Sequence, residues 1–164
     1  MEGVPFAKAV ISLGKGVDEL QEIFAQQELL AEIYMVEALS SELLLEAYVA
    51  FNLTVAEETK YHVARYHFLG SEEAYPIETL PALLEELGLP VRCNEACCLI
   101  PKKSVAFVAE LTEDEAVRCR GICTDCDSKN CPNRMTGKKS IFSAIADMTD
   151  VPLSYGYSRI FGRR

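Results

Sequence analysis

Pro101-Lys102-Lys103-Ser104-Val105-Ala106-Phe107-Val108-Ala109-Glu110-Leu111 decides how this chain folds. The Val- and Phe-rich run from Ser104 reads as a strand, entered through a Pro-Lys-Lys turn. Upstream, Val91 to Ile100 reads as a further strand. Downstream, Thr112-Glu113-Asp114-Glu115 reads as a capping box that starts a short helix. Near the other end, Phe6 to Leu13 is again strand-like and is stopped by Gly14-Lys15-Gly16. Helical periods fill the space between. Val17, Leu20, Ile23 and Phe24 share one helix face. A long helix follows from about Glu28 to Thr59, with Leu29, Ile33, Val36, Leu39, Leu43, Ala47, Ala50 and Phe51 as its apolar stripe. Tyr61 to Gly70 breaks that period and is aromatic and polar. A short helix carries Ile77, Leu80, Leu83, Leu84 and Leu87 inward, with Thr79 as N-cap, Gly88 as stop and Pro90 beyond it. Apolar strands interleaved with helices predict an α/β domain.

Composition bounds the function. Half the 164 residues are apolar and a quarter charged, which suits a globular core and excludes a disordered chain. No apolar run reaches the ~20 residues of a membrane span, and the opening Met1-Glu2-Gly3-Val4-Pro5 lacks a signal-peptide pattern. The expectation is a soluble, cytoplasmic protein with no membrane partner. The net charge of −9 is unevenly spread. Residues 1–90 hold 4 Lys/Arg against 16 Asp/Glu, and residues 91–164 hold 12 against 9. An acidic front half argues against a nucleic-acid partner, because phosphates are repelled. The basic end carries Arg134, Lys138, Lys139, Arg159, Arg163 and Arg164 beside Phe142, Tyr155, Tyr157 and Phe161. It reads either as a solvated tail or as a docking surface for an acidic protein.

All seven cysteines fall between Cys93 and Cys131. Cys123, Cys126 and Cys131, with Cys119 as the fourth member, place four thiolates in thirteen residues of polar sequence, followed by Pro132. Such a run is suited to one centre, either zinc or an iron–sulfur cluster. The competing reading is a set of free thiols. Cys93, Cys97 and Cys98 read as small residues on one strand, Cys93 and Cys97 on one face and Cys98 on the other. His62 and His67 lie five apart, a poor spacing for one helix face, and read as ordinary surface or partly buried histidines. Gly14-Lys15-Gly16 follows a strand without a P-loop or dinucleotide fingerprint, and no nucleophile elbow is present. No catalytic residue is assigned.

Several segments, in order, resemble one family: the activation domain of vitamin B12-dependent methionine synthase, and more closely its small stand-alone relatives in anaerobic bacteria. Ala9-Val10-Ile11-Ser12-Leu13-Gly14 is similar to the family's strand ending Thr-Leu-Gly, and the long helix follows it. Arg65-Tyr66 to Gly70, then Pro76, resembles the loop Arg-Pro-Ala-Pro-Gly-Tyr, or Arg-Tyr-Ser-Pro-Gly-Tyr, that binds S-adenosylmethionine. Phe68-Leu69-Gly70-Ser71 stands where the family has its Pro-Gly-Tyr end. Asn94-Glu95-Ala96-Cys97-Cys98-Leu99-Ile100-Pro101-Lys102-Lys103-Ser104-Val105 is similar to the family's Thr-Glu-Ser-x-x-Met-x-Pro-x-x-Ser-Val hairpin, matching at Glu95, Pro101, Ser104 and Val105. The cysteine run up to Arg134 resembles a tail of the stand-alone relatives.

The resemblance implies a site for S-adenosylmethionine. Arg65 would grip its carboxylate, the backbone near Gly70 would approach it, and Tyr66, Tyr75 and Glu95 would face its sulfonium. It implies a corrinoid-binding protein or domain as docking partner, and an electron donor protein as a further one. The combined expectation is a mostly antiparallel, twisted central sheet with packed helices. Residues 1–112 would form the activation-like domain, 113–135 the cysteine-rich metal-binding segment, and 136–164 a basic tail. The expected function is an accessory protein of corrinoid-dependent methyl transfer. The alternatives are a non-enzymatic iron–sulfur or zinc module for electron transfer or contacts, and a structural subunit whose pocket has decayed.

Overall fold

The computed structural model describes residues 3–119, residue 122 and, as backbone, residues 156–163. Its centre is a four-stranded sheet. β1 (Pro5–Ser12) pairs with β5 (Ser104–Thr112) and β6 (Gly156–Arg163), and β2 (His62–Phe68) closes the other edge, in the order β2-β5-β1-β6. Every pairing in it is antiparallel, as expected. The C-terminal residues, which show no period in sequence, thus include a strand of the main sheet. The helices are α1 (Gly16–Gln26), α2 (Leu30–Glu58) and α3 (Leu80–Leu87), and a two-stranded ribbon is made by β3 (Arg92–Cys93) and β4 (Leu99–Ile100).

The quoted strand, β5, is central because it alternates apolar residues on both faces. Phe107, Ala109 and Leu111 turn to one side with Ala7, Ala9 and Ile11 of β1, where α2 packs through Ala47, Tyr48, Phe51 and Val55. The alanines keep the sheet surface low, so the rings of α2 reach it. Phe51 meets Phe107 edge-on at 5.2 Å, and Tyr66 of β2 meets Phe107 at 5.0 Å. Phe107 is fully buried, and its loss to alanine would cost about 3–5 kcal/mol. On the other face Ala106, Val108 and Val10 meet Leu80, Leu83, Leu84 and Leu87 of α3.

α2 runs 29 residues because no glycine or proline interrupts the chain between Gly16 and Gly70. It stops where Thr59 turns extended, its Oγ1 donating to the Val55 carbonyl at 2.6 Å. α3 ends as anticipated at Gly88, which is left-handed at φ 63°. Thr79 does not cap it: its hydroxyl donates back to the Pro76 carbonyl at 2.7 Å.

Several expectations are corrected. Tyr61–Gly70 contains strand β2. A bulge between Val63 and Arg65 breaks its two-residue period, which hid the strand. Val91–Ile100 is not one strand. Asn94 folds it back, its Oδ1 accepting from the amides of Ala96 (3.0 Å) and Cys98 (2.9 Å), with Cys97 left-handed at φ 58°. Cys93 and Cys97 therefore do not share a strand face. Thr112–Glu115 starts only a single 3-10 turn, Glu115–Val117, where Asp114 Oδ1 accepts from Ala116 N at 2.9 Å. On α2, Leu39 faces solvent rather than the core.

Candidate functional site

The turn after β2 and the ribbon before β5 approach each other at one end of the sheet. Between them lies a cleft of about 230 Å3, lined among others by Phe68, Leu69, Ile77, Leu99, Lys102 and Ser104. Its shape depends on Gly70, which adopts φ 84° and receives the turn: its N–H donates to the Tyr75 carbonyl at 2.7 Å. A Cβ at Gly70 would stand 3.2 Å from Ile77 Cβ, so the close approach needs glycine. The wall is mostly apolar, with Lys102 and Ser104 as its charged and hydroxyl groups. The volume is below the ~300 Å3 at which enclosing ligand pockets begin, so a cofactor-sized ligand would be covered only in part.

On the α3 face of the sheet, at the residue of β2 just before Phe68, lies a polar cluster. His67 is 4% exposed. Its Nδ1 lies 2.9 Å from Glu72 Oε1, and its Nε2 lies 3.0 Å from Glu110 Oε1. The second contact is close but off the N–H direction, so Nε2 makes no aligned hydrogen bond. The Tyr75 ring stacks on the imidazole at 4.5 Å. A neutral imidazole carries one donor, so only the doubly protonated ring presents an N–H to both carboxylates. Sequence spacing shows the Glu72 partner only as a residue five positions on, and hides the Glu110 partner, which β5 supplies across the strand pairing.

The residues expected at a S-adenosylmethionine site are dispersed. Arg65 sits on β2 opposite Glu110, half-exposed, with its guanidinium 3.9 Å from Glu72 Oε1. Tyr66 points to the opposite face, buried in the core, and donates to Asn52 Oδ1 at 2.7 Å. Burial, and then the neighbouring Cys119 and Tyr48, push its hydroxyl well above the usual phenol range. Tyr75 is buried against α3, and Glu95 is exposed in the Asn94–Cys98 turn. Gly70 alone adjoins the cleft, through Ile77. Arg65 and Tyr66 do not line that cleft.

Of the four expected metal ligands, Cys119 is described, and Cys123, Cys126 and Cys131 lie outside the described residues. The Cys119 amide donates to the Val63 carbonyl at 2.7 Å, which lays the start of the cysteine run along the outer edge of β2. A wider cleft of about 660 Å3 opens there, lined by Val49, Asn52, Leu53, His62, Arg118 and Cys119 among others. Among the described residues no group of three His, Cys, Asp or Glu side chains is arranged to hold a metal ion. No described helix is long and apolar enough to cross a membrane. No family model matches the chain, and no curated protein matches its sequence.

Proposed function

We propose that this chain is an accessory protein of corrinoid-dependent methyl transfer that docks on a corrinoid-binding protein or domain and takes part of a methyl donor in the cleft beside Gly70. One observation supports the reading above the rest. The segment ending at Gly70 and the segment Asn94–Val105 carry the family resemblance independently, and side chains from both meet across one cleft. S-adenosylmethionine would supply an electrophilic methyl group. In this chain Lys102 offers a charge for an anionic group, and Phe68, Leu69 and Leu99 offer apolar cover. Calorimetry of the full chain with S-adenosylmethionine tests the ligand. Binding should be measurable at millimolar ligand and be lost in Leu99→Trp, which fills the cleft. Sedimentation with a corrinoid protein at low and high salt tests the docking, which should weaken with salt if the basic C-terminal end steers it. Absence of both interactions overturns the reading.

A second reading, a zinc or iron–sulfur module, is favoured by the spacing of Cys119, Cys123, Cys126 and Cys131. Anaerobically purified protein should carry metal, and each Cys→Ser variant should lose most of it. Variants that keep the parent's metal content remove this reading.

A further inference from the structure

The core side of α2 is set by Ser40, Ala47, Tyr48, Phe51 and Val55, all buried. A second stripe runs along its opposite side. Met35, Leu39, Glu42, Glu46, Val49 and Leu53 follow each other at alternating spacings of four and three. That is the spacing of a seam along which a second helix packs. Its apolar members are 59%, 45%, 47% and 58% exposed, in order, although α1 and the sheet both pack on the same helix. Among the described residues only the opposite side of α2 packs on the sheet, and this apolar side is left exposed, bordered at Val49 and Leu53 by the cleft beside Cys119.

Charge decides what can cover it. No Lys, Arg or His occurs between Lys15 and Lys60. Glu42 and Glu46 sit at the centre of the seam, and neither has an ion-pair partner among the described residues. The seam is symmetric about Leu44, so a second copy of α2, parallel or antiparallel, sets these glutamates against glutamates. A helix with two central cations flanked by apolar residues meets both the carboxylates and the exposed Met35, Leu39, Val49 and Leu53.

We propose that the outer face of α2 is a docking seam for a helix of another protein, one with Lys or Arg at two central seam positions and large apolar residues on either side. The seam is separate from the Gly70 cleft and from the methyl-transfer reading, although Val49 and Leu53 also line the cleft beside Cys119. The probe is a synthetic helix-forming peptide with Leu-Lys-Lys-Leu at the seam positions, beside a counterpart with Leu-Glu-Glu-Leu. Fluorescence anisotropy with the full chain should show the lysine peptide binding about tenfold or more tighter than the glutamate peptide. The double variant Met35→Ser/Leu53→Ser changes only exposed positions. It should weaken the lysine peptide about tenfold while lowering the thermal midpoint by only a few degrees, the cost of serine's weaker helix propensity. The double variant Glu42→Lys/Glu46→Lys should reverse the preference between the peptides. Unchanged binding in the serine variant, or no reversal in the lysine variant, overturns the proposal. So does a photoreactive side chain at position 39 that crosslinks only to the chain itself or to a second copy.

Discussion

His67 Nδ1 lies 2.9 Å from Glu72 Oε1, which ties a buried strand residue to the turn that follows it. The same turn is closed by Gly70 N to the Tyr75 carbonyl at 2.7 Å and by Tyr75 N to the Glu72 carbonyl at 3.0 Å. The charge contact and the backbone bonds therefore support one another. Glu72→Gln keeps the shape and removes the charge. It should destabilise the protein by about 1–2 kcal/mol, the range for a hydrogen bond to a charged group that is partly solvated. Amide exchange at Gly70 and Tyr75 should quicken at the same time. Urea unfolding and exchange of those two amides check this, and unchanged exchange would show that the contact does not hold the turn.

Lys103, most of whose side chain is buried, donates to the Glu37 carboxylate and lies 3.0 Å from Ser41 Oγ, fastening α2 to the start of β5. The Lys103 hydrogen bond holds the Glu37 carboxyl below its usual range, opposed by partial burial and aided by Gln21. A carboxyl depressed in the folded state adds stability above its unfolded value, about pH 4.3 for glutamate, and loses it as pH falls through the folded value. The parent should therefore be more stable than Glu37→Gln at pH 6, and the gap should narrow below roughly pH 4. Solvent screening of the exposed glutamate keeps the effect small. Urea midpoints of both proteins from pH 6 to pH 3 decide it; a gap that widens on acidification would contradict the assignment.

Gly70→Ala meets two obstacles, a backbone at φ 84° and Ile77 Cβ at 3.2 Å. The expected cost is about 1–3 kcal/mol. Adding Ile77→Gly removes that Cβ but not the backbone strain at position 70. The double variant should therefore lose less than the sum of the two single changes. Thermal melting of the four proteins measures the coupling, and strict additivity would show that the two residues do not press on each other.

Much of the scaffold is written in local sequence. The apolar runs of β1 and β5, the glycine- and proline-free stretch of α2, and Leu80 to Gly88 each carry a period or a stop signal within a few residues. Their causes are side-chain alternation, helix period and the left-handed freedom of Gly88, and these act between neighbours in the chain. β2 was obscured by its bulge, which shifts the alternation between Val63 and Arg65 so that neither the strand nor the helix period fits.

The candidate sites depended on the tertiary structure. The family resemblance groups Arg65, Tyr66, Tyr75 and Glu95, but strand alternation sends Tyr66 to the α2 face, the turn after β2 carries Tyr75 to the α3 face, and the Asn94 turn leaves Glu95 in solvent. His67 looked ordinary because Glu110 reaches it only through the β2–β5 pairing. The outer stripe of α2 was visible as apolar residues, yet which of them face the sheet is a matter of what packs against the helix. Chain sequence by itself determined β1, β5 and the three α-helices, since these rest on short-range sterics and periodicity. The pairing of strands, and with it the cleft, the His67 contacts and the exposed apolar face of α2, was decided by burial between residues far apart in the chain, which no local pattern encodes.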